Sequence, residues 1–146
     1  MRIKTVFFLF FLLVAGLFSC NRNKTVPLVN HPVPSVPVNV TIYPNDPLNF
    51  RIQAIGGWIY FNAGINGIII YRKSNEEFVA LERTSPHLPN DTAARAYVTK
   101  DNFSLLDTVS RSRWQIIDGA IIKEPTQWPL RLYGTSFNGN VLRIIN

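Results

Sequence analysis

Two short segments hold residues of types that bind metals. In Thr84-Ser85-Pro86-His87, a His stands two positions after a Ser, and farther along the chain Asp107 and Ser110 stand three positions apart. A neutral imidazole and a carboxylate are both common metal ligands. Protein zinc sites use three or four such ligands, and only His87 and Asp107 qualify. A metal site at this pair is one hypothesis, and an exposed His87 in a proline-bounded loop is the simpler one.

The only cysteine of the chain ends an apolar N-terminal segment. Residues 6–17 are almost continuously apolar, Arg2 and Lys4 precede them, and Leu17-Phe18-Ser19-Cys20 closes the run. The run is short for a membrane span, so it predicts a signal peptide. The small residue before Cys20, with Leu at the third position before it, resembles the lipobox of bacterial lipoproteins. That resemblance implies a signal peptide at 1–19 and a lipid on Cys20. An N-terminal transmembrane anchor is the alternative.

A lipid on Cys20 determines which chemistry is left to the rest of the chain. Several acyl chains on one cysteine hold a protein stably on a bilayer. Because Cys20 is the only thiol, the folded domain then has no disulfide, no thiolate metal ligand and no cysteine nucleophile. The residues after Cys20 are basic and lack an acidic run, which favours the periplasmic face of a bacterial outer membrane over the cell surface.

The net charge of +6 comes from dispersed basic residues. No dense basic run indicates nucleic-acid binding, and an exported lipoprotein does not meet nucleic acid, so we expect no such partner. Arg111 and Arg113 are one point that would attract an acidic partner, although a solvated face is the simpler interpretation.

Composition divides the chain after the signal into two parts. Residues 20–37 hold four prolines among small polar and β-branched residues, which is typical of an extended tether. We expect His31, within this tether, to be exposed and without a role. Residues 38–146 have the length of one domain.

From position 38 onwards the apolar residues follow strand patterns. The segments with this pattern are 38–42, 50–55, 58–61, 68–71 and 78–81, and the continuous apolar run 68–71 predicts a strand buried on both faces. Two hairpins follow, with turns at Asp118-Gly119, for which type I′ geometry is predicted, and at Asn138-Gly139. Residues 91–98 are the only helix candidate. We predict an all-β domain, a small antiparallel β sandwich or partly open barrel.

Residue spacing in the C-terminal half resembles that of Rieske-type iron–sulfur domains. That family has two ligand loops, Cys-x-His and Cys-x-x-His, followed at fixed steps by Ser-x-aromatic, Gly, Gly-Pro, Pro-Leu and Tyr. The matching residues are Ser112, Trp114, Gly119, Glu124-Pro125, Pro129-Leu130 and Tyr133. The resemblance covers residues 67–145 well and 38–66 loosely. It implies a Rieske-like fold of two stacked antiparallel β units with two loops at one tip, as in a branch of small Rieske-like lipoproteins.

The ligand positions of that family are changed in this chain. Ser85 stands at the first Cys, His87 at the first His, Asp107 at the second Cys and Ser110 at the second His. A Rieske [2Fe–2S] centre uses two thiolates on one iron and two imidazoles on the other. A Ser hydroxyl is far harder to deprotonate than a thiol with a pKa of about 8.5, and carboxylates suit harder ions. We therefore expect no cofactor and no metal at these positions, and a domain that has lost its iron–sulfur ligands.

The sequence leaves four functions open. The favoured one is a membrane-bound structural or interaction module with an unidentified protein partner. The others are a Rieske-type [2Fe–2S] electron carrier, a non-cluster metal site at His87 and Asp107, and a module that binds glycan or peptide through aromatic residues. The available tryptophans are Trp58 and Trp114, both expected in the core, and Trp128, expected to be more exposed. No catalytic motif is present, so we do not expect an enzyme.

Overall fold

The computed structural model describes residues 30–146, so the predicted signal peptide and Cys20 lie outside the described part of the chain. The described residues form ten strands and one 3-10 helix, η1. In chain order these are β1 Asn39–Ile42, η1 Pro47–Ile52, β2 Trp58–Phe61, β3 Ile68–Arg72, β4 Phe78–Glu82, β5 Ala96–Val98, β6 Ser104–Asp107, β7 Arg113–Gln115, β8 Ile121–Lys123, β9 Leu132–Phe137 and β10 Leu142–Ile145. The all-β prediction is confirmed.

The strands form two antiparallel sheets. The larger has the order β1-β10-β9-β4-β3-β2 and the smaller the order β5-β6-β7-β8. An isolated antiparallel bridge between Thr84 and Arg95 joins the chain after β4 to the start of β5. This arrangement confirms the predicted fold class of two small antiparallel β units.

The neighbouring strands β3 and β4 carry the core, because they bury side chains on both faces of the larger sheet. Successive strand residues point to opposite faces. Ile68 and Ile70 accordingly enter one cluster, while Ile69 enters a second cluster that contains Leu105 and Trp114 of the smaller sheet. All five side chains are fully buried, and each aliphatic one stabilises the fold by about 1.5–3 kcal/mol. The prediction for residues 68–71 is confirmed.

The strand predicted at residues 50–55 is wrong, because its first half belongs to η1. Asp46 caps the helix by accepting a hydrogen bond from Leu48 N over 2.8 Å, and Pro47 opens it with a suitable φ. At the other end, the Arg72 guanidinium donates to Ile52 O and Gln53 O over 3.3 and 2.9 Å. A local cap and a distant arginine thus override the apolar pattern.

The helix candidate at residues 91–98 is also wrong. Asp91 accepts a hydrogen bond from Ala93 N over 2.8 Å, which closes a turn instead of a helix. Beyond it, Ala96 N donates to Arg83 O over 2.7 Å, and β5 begins. Strand β6, for which no strand was predicted, pairs with β5.

Both predicted hairpins are present, but the first has a different turn. The connection between β7 and β8 takes in residues 116–120, and only Gly119 has a positive φ, of 71°. A type I′ turn needs positive φ at both central residues, so that prediction is wrong. Ile116 lengthens the connection because its side chain is fully buried and its N–H donates to Phe103 O over 3.0 Å. The second hairpin joins β9 and β10 through Asn138 and Gly139, as predicted.

The described part of the proline-rich segment, residues 30–37, packs on the domain. Val33 is fully buried, and its carbonyl accepts two hydrogen bonds from the Arg131 guanidinium over 3.0 and 2.6 Å. His31, expected to be exposed, is half-buried, with Nε2 2.9 Å from Pro129 O and its ring edge-on to Trp128. The last residues before β1 therefore belong to the folded structure.

Candidate functional site

The first predicted ligand segment follows β4 and divides into a buried and an exposed half. Thr84 bridges to Arg95, and Ser85 N donates to Ala94 O over 3.0 Å. These contacts leave Ser85 fully buried, with no hydrogen-bond partner for its Oγ among the described residues. His87, two positions on, is exposed. The two residues therefore lie in different environments.

The second predicted pair lies in the turn after β6 and is brought together. Asp107 is fully buried; its Oδ1 accepts a hydrogen bond from Val109 N over 2.9 Å, and its Oδ2 accepts one from Ser110 Oγ over 2.5 Å. The backbone closes the same turn, because Arg111 N donates to Asp107 O over 2.8 Å and Arg111 takes a positive φ of 66°. The Asp107 carboxylate thus organises its own turn.

Ser110 connects this turn to a third segment. Its Oγ lies 2.9 Å from Ser112 Oγ, and Ser112 Oγ accepts a hydrogen bond from Thr126 N over 3.1 Å. Ser112 and Thr126 are both buried. We call the four residues Asp107, Ser110, Ser112 and Thr126 the turn network. It ties the turn after β6 to the connection between β8 and β9 through the Ser110 and Ser112 hydroxyls and the Thr126 backbone N–H.

A buried carboxylate at the end of β4 was not predicted as a site residue. Glu82 is fully buried and accepts five hydrogen bonds. The donors are Ile65 N, Asn66 N, Thr84 N, Thr84 Oγ1 and the Tyr133 hydroxyl, over 2.7–3.1 Å. The carboxylate therefore joins the loop between β2 and β3 to β4 and β9. The one signal in the sequence is an acidic residue ending an apolar strand.

These hydrogen bonds set the ionisation of Glu82. Burial alone would raise its pKa, but bonds from Ile65 N, Tyr133 and Thr84 to the charged form outweigh burial, so the pKa lies below its ordinary value. The pKa of the Tyr133 phenol is raised, first by burial and then by its bond to the carboxylate. Glu82 is thus charged and Tyr133 neutral at neutral pH. Their hydrogen bond joins β4 to β9.

The three tryptophans occupy different environments. Trp114 is fully buried and donates from Nε1 to Trp128 O over 3.0 Å, so its predicted packing role is confirmed. Trp128 is half-buried against His31. Trp58, which was expected in the core, is half-buried, and its ring packs against that of Tyr60 at an interplanar angle of 60° with centroids 5.0 Å apart.

Two further observations concern residues 30–146 as a whole. Within that range, no three or more His, Cys, Asp or Glu side chains are grouped as metal ligands would be. No helix in the same range is both long enough and apolar enough to span a membrane.

The chain is similar to solved structures of known proteins. No protein-family model matches the sequence, and no curated protein does. The ferredoxin of carbazole 1,9a-dioxygenase from Nocardioides aromaticivorans IC177 is similar with a TM-score of 0.49 and 17% identity, covering 75% of this chain and 97% of that chain. A complex of reduced oxygenase and oxidized ferredoxin in carbazole 1,9a-dioxygenase is similar with a TM-score of 0.45 and 19% identity, covering 64% of this chain and 83% of that chain. At this identity the likeness concerns fold alone.

Proposed function

We propose that this chain is a bacterial lipoprotein with a Rieske-like domain that binds no iron–sulfur cluster. Lipid on Cys20 anchors it to the membrane, at the periplasmic face of the outer membrane, and the domain acts there as a structural or interaction module. The residue spacing that resembles the Rieske family supports the domain assignment. The lipobox-like Leu17-Phe18-Ser19-Cys20 supports the anchor.

The donor chemistry at the four ligand positions does not fit a [2Fe–2S] cluster. Such a cluster needs two thiolates and two imidazoles, whereas this chain offers two hydroxyls, one carboxylate and one imidazole. A hydroxyl is a weak ligand for iron because it keeps its proton near neutral pH. His87 is the one residue of the right type.

The observation that carries the proposal is the hydrogen bond between Asp107 and Ser110. The two residues that stand at the second Cys and second His bind each other, and Asp107 also accepts from Val109 N. A carboxylate with both oxygens engaged in its own turn satisfies that turn without a ligand. The turn network also holds this turn to the connection between β8 and β9 by polar contacts.

Elemental analysis of the full-length protein, purified in a non-ionic detergent, tests the absence of a cluster. We expect iron and acid-labile sulfide at background and no visible absorption after anaerobic purification. Iron and sulfide near two per chain, with the absorption of a cluster, would overturn the proposal. His87→Ala serves as the matched variant, because a site that uses the remaining imidazole would lose its metal with this change.

The anchor is tested separately by metabolic labelling with a radioactive fatty acid. We expect label on the wild-type chain and none on Cys20→Ser, which removes the only thiol. Ser19→Ala is the control, because it keeps a small residue before the cysteine and should retain the label. Label that persists in Cys20→Ser would contradict lipidation at this residue.

A further inference from the structure

The smaller sheet has one face in the core and one face directed outward. Ala96, Leu105 and Trp114, on its three neighbouring strands β5, β6 and β7, are fully buried in the core between the sheets. Because side chains alternate along a strand, the residues next to them point to the other face. Of these, Tyr97 is 38% exposed. The outward face is therefore accessible to a partner.

Strand register places four outward residues in one row across this sheet. Tyr97 pairs with Leu106, Leu106 with Arg113, and Arg113 with Lys123. Directly paired residues in antiparallel strands lie side by side on the same face. The row thus leads from an aromatic residue on β5 to two cations on β7 and β8.

Two residues extend the row onto the larger sheet. The Arg83 guanidinium lies 4.9 Å from the ring centroid of Tyr97 and 4.0 Å from that of Tyr60. Arg83 Nε donates to Ala96 O over 3.1 Å, and the Tyr60 hydroxyl accepts from Val98 N over 2.9 Å. These contacts fix the side chains in place. We call the six residues Tyr60, Arg83, Tyr97, Leu106, Arg113 and Lys123 the outer belt.

No acidic side chain of the described domain forms an ion pair with the cations of the outer belt. Within residues 30–146 the single ion pair joins Lys73 and Glu77, which lie outside the belt. Glu82, the sequence neighbour of Arg83, is fully buried with its oxygens already engaged. The outer belt therefore presents three cations that form no ion pair within residues 30–146.

Two arginine donors near this face also lack a hydrogen-bond partner. Arg113 Nε, in the belt, and Arg95 Nε, beside it on the segment before β5, are buried atoms without an acceptor among the described residues. Buried N–H groups are nearly always hydrogen-bonded in folded proteins. A carboxylate can accept two parallel bonds from one guanidinium. Both Nε atoms are closed to solvent, so a carboxylate of a partner would meet the other nitrogens of these guanidinium groups.

We propose that the outer belt is the docking surface for an acidic segment of a partner protein, which Arg83, Arg113 and Lys123 recognise through its Asp and Glu carboxylates. This inference deepens the interaction role proposed above and rests on it. Tyr and Arg are enriched in protein–protein interfaces and dominate their binding energy. The rigid stack of Tyr60, Arg83 and Tyr97 loses little side-chain entropy on binding.

An anionic lipid surface would also attract positive charge, but the belt favours a protein. A bilayer is recognised by clusters of several flexible cations, whereas two of the three belt cations are arginines and one of these is held between two rings. A fixed guanidinium suits the planar, two-oxygen geometry of a carboxylate. The lipid surface is therefore the competing outcome of the test.

Poly-L-glutamate serves as the acidic probe, with full-length protein in a non-ionic detergent. We expect saturable binding that weakens with added salt. Arg113→Glu with Lys123→Glu should raise the Kd by about tenfold or more, since charge reversal at an interface is repulsive. Arg143→Glu is the control: this exposed cation on β10 lies outside the belt, and its change should leave the Kd within about twofold. Equal losses in both variants would overturn the proposal, because they would reflect net charge alone.

A second arm replaces the polymer by mixed micelles that contain phosphatidylglycerol. Belt-dependent binding to these micelles, without binding to poly-L-glutamate, would overturn the protein-partner proposal in favour of a lipid. Tyr97→Ala, which removes an aromatic and no charge, should also weaken poly-L-glutamate binding, and an unchanged Kd would contradict the aromatic contribution. The iron measurement distinguishes failure of this inference from failure of the proposed function. An iron-free protein that does not bind poly-L-glutamate would contradict the acidic partner alone. A bound iron–sulfur cluster would contradict the proposed function.

Discussion

Ser110 Oγ donates a hydrogen bond to Asp107 Oδ2 over 2.5 Å, and these two residues stand where the Rieske resemblance places the second Cys and the second His. The bond has a short span, between residues three positions apart. It satisfies one oxygen of a carboxylate that is fully buried. A turn that is stable by its own contacts needs no ion to close it, and this property is open to a stability measurement.

Removing the Asp107 carboxylate should therefore destabilise the domain. Asp107→Ala leaves Val109 N and Ser110 Oγ without their acceptor, so we expect a loss of about 1–3 kcal/mol in the free energy of unfolding. Asp107→Asn, which keeps one acceptor oxygen, should lose less. Urea unfolding followed by tryptophan fluorescence measures both. Asp91→Ala removes an exposed turn-forming carboxylate and is the control. An equal loss of unfolding free energy in that variant would show that the turn network stabilises the domain no more than an ordinary surface turn.

The parts of the fold that were predicted correctly depend on local pattern. The run 68–71 is apolar because β3 is buried on both faces, and Asn138-Gly139 has a residue that accepts the positive φ of its turn. The strand prediction for residues 50–55 was wrong because the Arg72 side chain, which is distant in sequence, fixes the end of η1. Such a contact leaves no trace in a local apolar pattern.

The candidate site divides in the same way. The bond of Asp107 to Ser110 is local, so the spacing alone placed these residues close together. The role of Glu82 depends on donors from residues 65, 66 and 133, which only the assembled sheet brings to it. Ser85 and His87 are two positions apart, yet one is buried and the other exposed, because the bridge from Thr84 to Arg95 holds only the first part of that loop.

The ionisation of Glu82 should make stability depend on pH. Folding lowers its pKa below the ordinary value of 4.5, so near that pH the unfolded chain binds more protons. The stabilisation is therefore present above pH 4.5 and is lost as pH falls towards the folded pKa. In Glu82→Gln, an amide donor faces groups that all donate, so we expect a loss of about 1.5–3 kcal/mol at neutral pH.

Urea unfolding at several pH values checks this prediction. The difference between wild type and Glu82→Gln should be largest at neutral pH and should shrink as the pH is lowered below 4.5. Tyr133→Phe is the matched variant, because it removes one donor and keeps the carboxylate. A difference that stays constant across the acid range would show that Glu82 does not titrate as its contacts require.

Gly64 should tolerate no side chain, because it packs against the Glu82 carboxylate. A Cβ there would overlap Glu82 Oε2 and lie 2.7 Å from the Tyr133 hydroxyl, and the residue has a positive φ of 71°. Gly64→Ala should therefore destabilise the domain by more than the roughly 1–2 kcal/mol of a left-handed residue. Gly56→Ala is the control, since Gly56 has a φ of 83° and no atom within 4 Å of an added Cβ. Equal unfolding free energies for the two variants would mean that the carboxylate moves aside without cost.

Val33 should contribute to the stability of the domain although it lies in the proline-rich segment. Its side chain is fully buried, and its carbonyl accepts two hydrogen bonds from Arg131. Val33→Ala should lower the free energy of unfolding by about 1–3 kcal/mol, because it removes buried methyl groups from a packed site. Urea unfolding measures the loss, and limited proteolysis should show faster cleavage before β1. Pro34→Ala changes the exposed neighbouring residue and should have a smaller effect. Equal unfolding free energies and equal cleavage rates for Val33→Ala and Pro34→Ala would contradict a stabilising role of Val33.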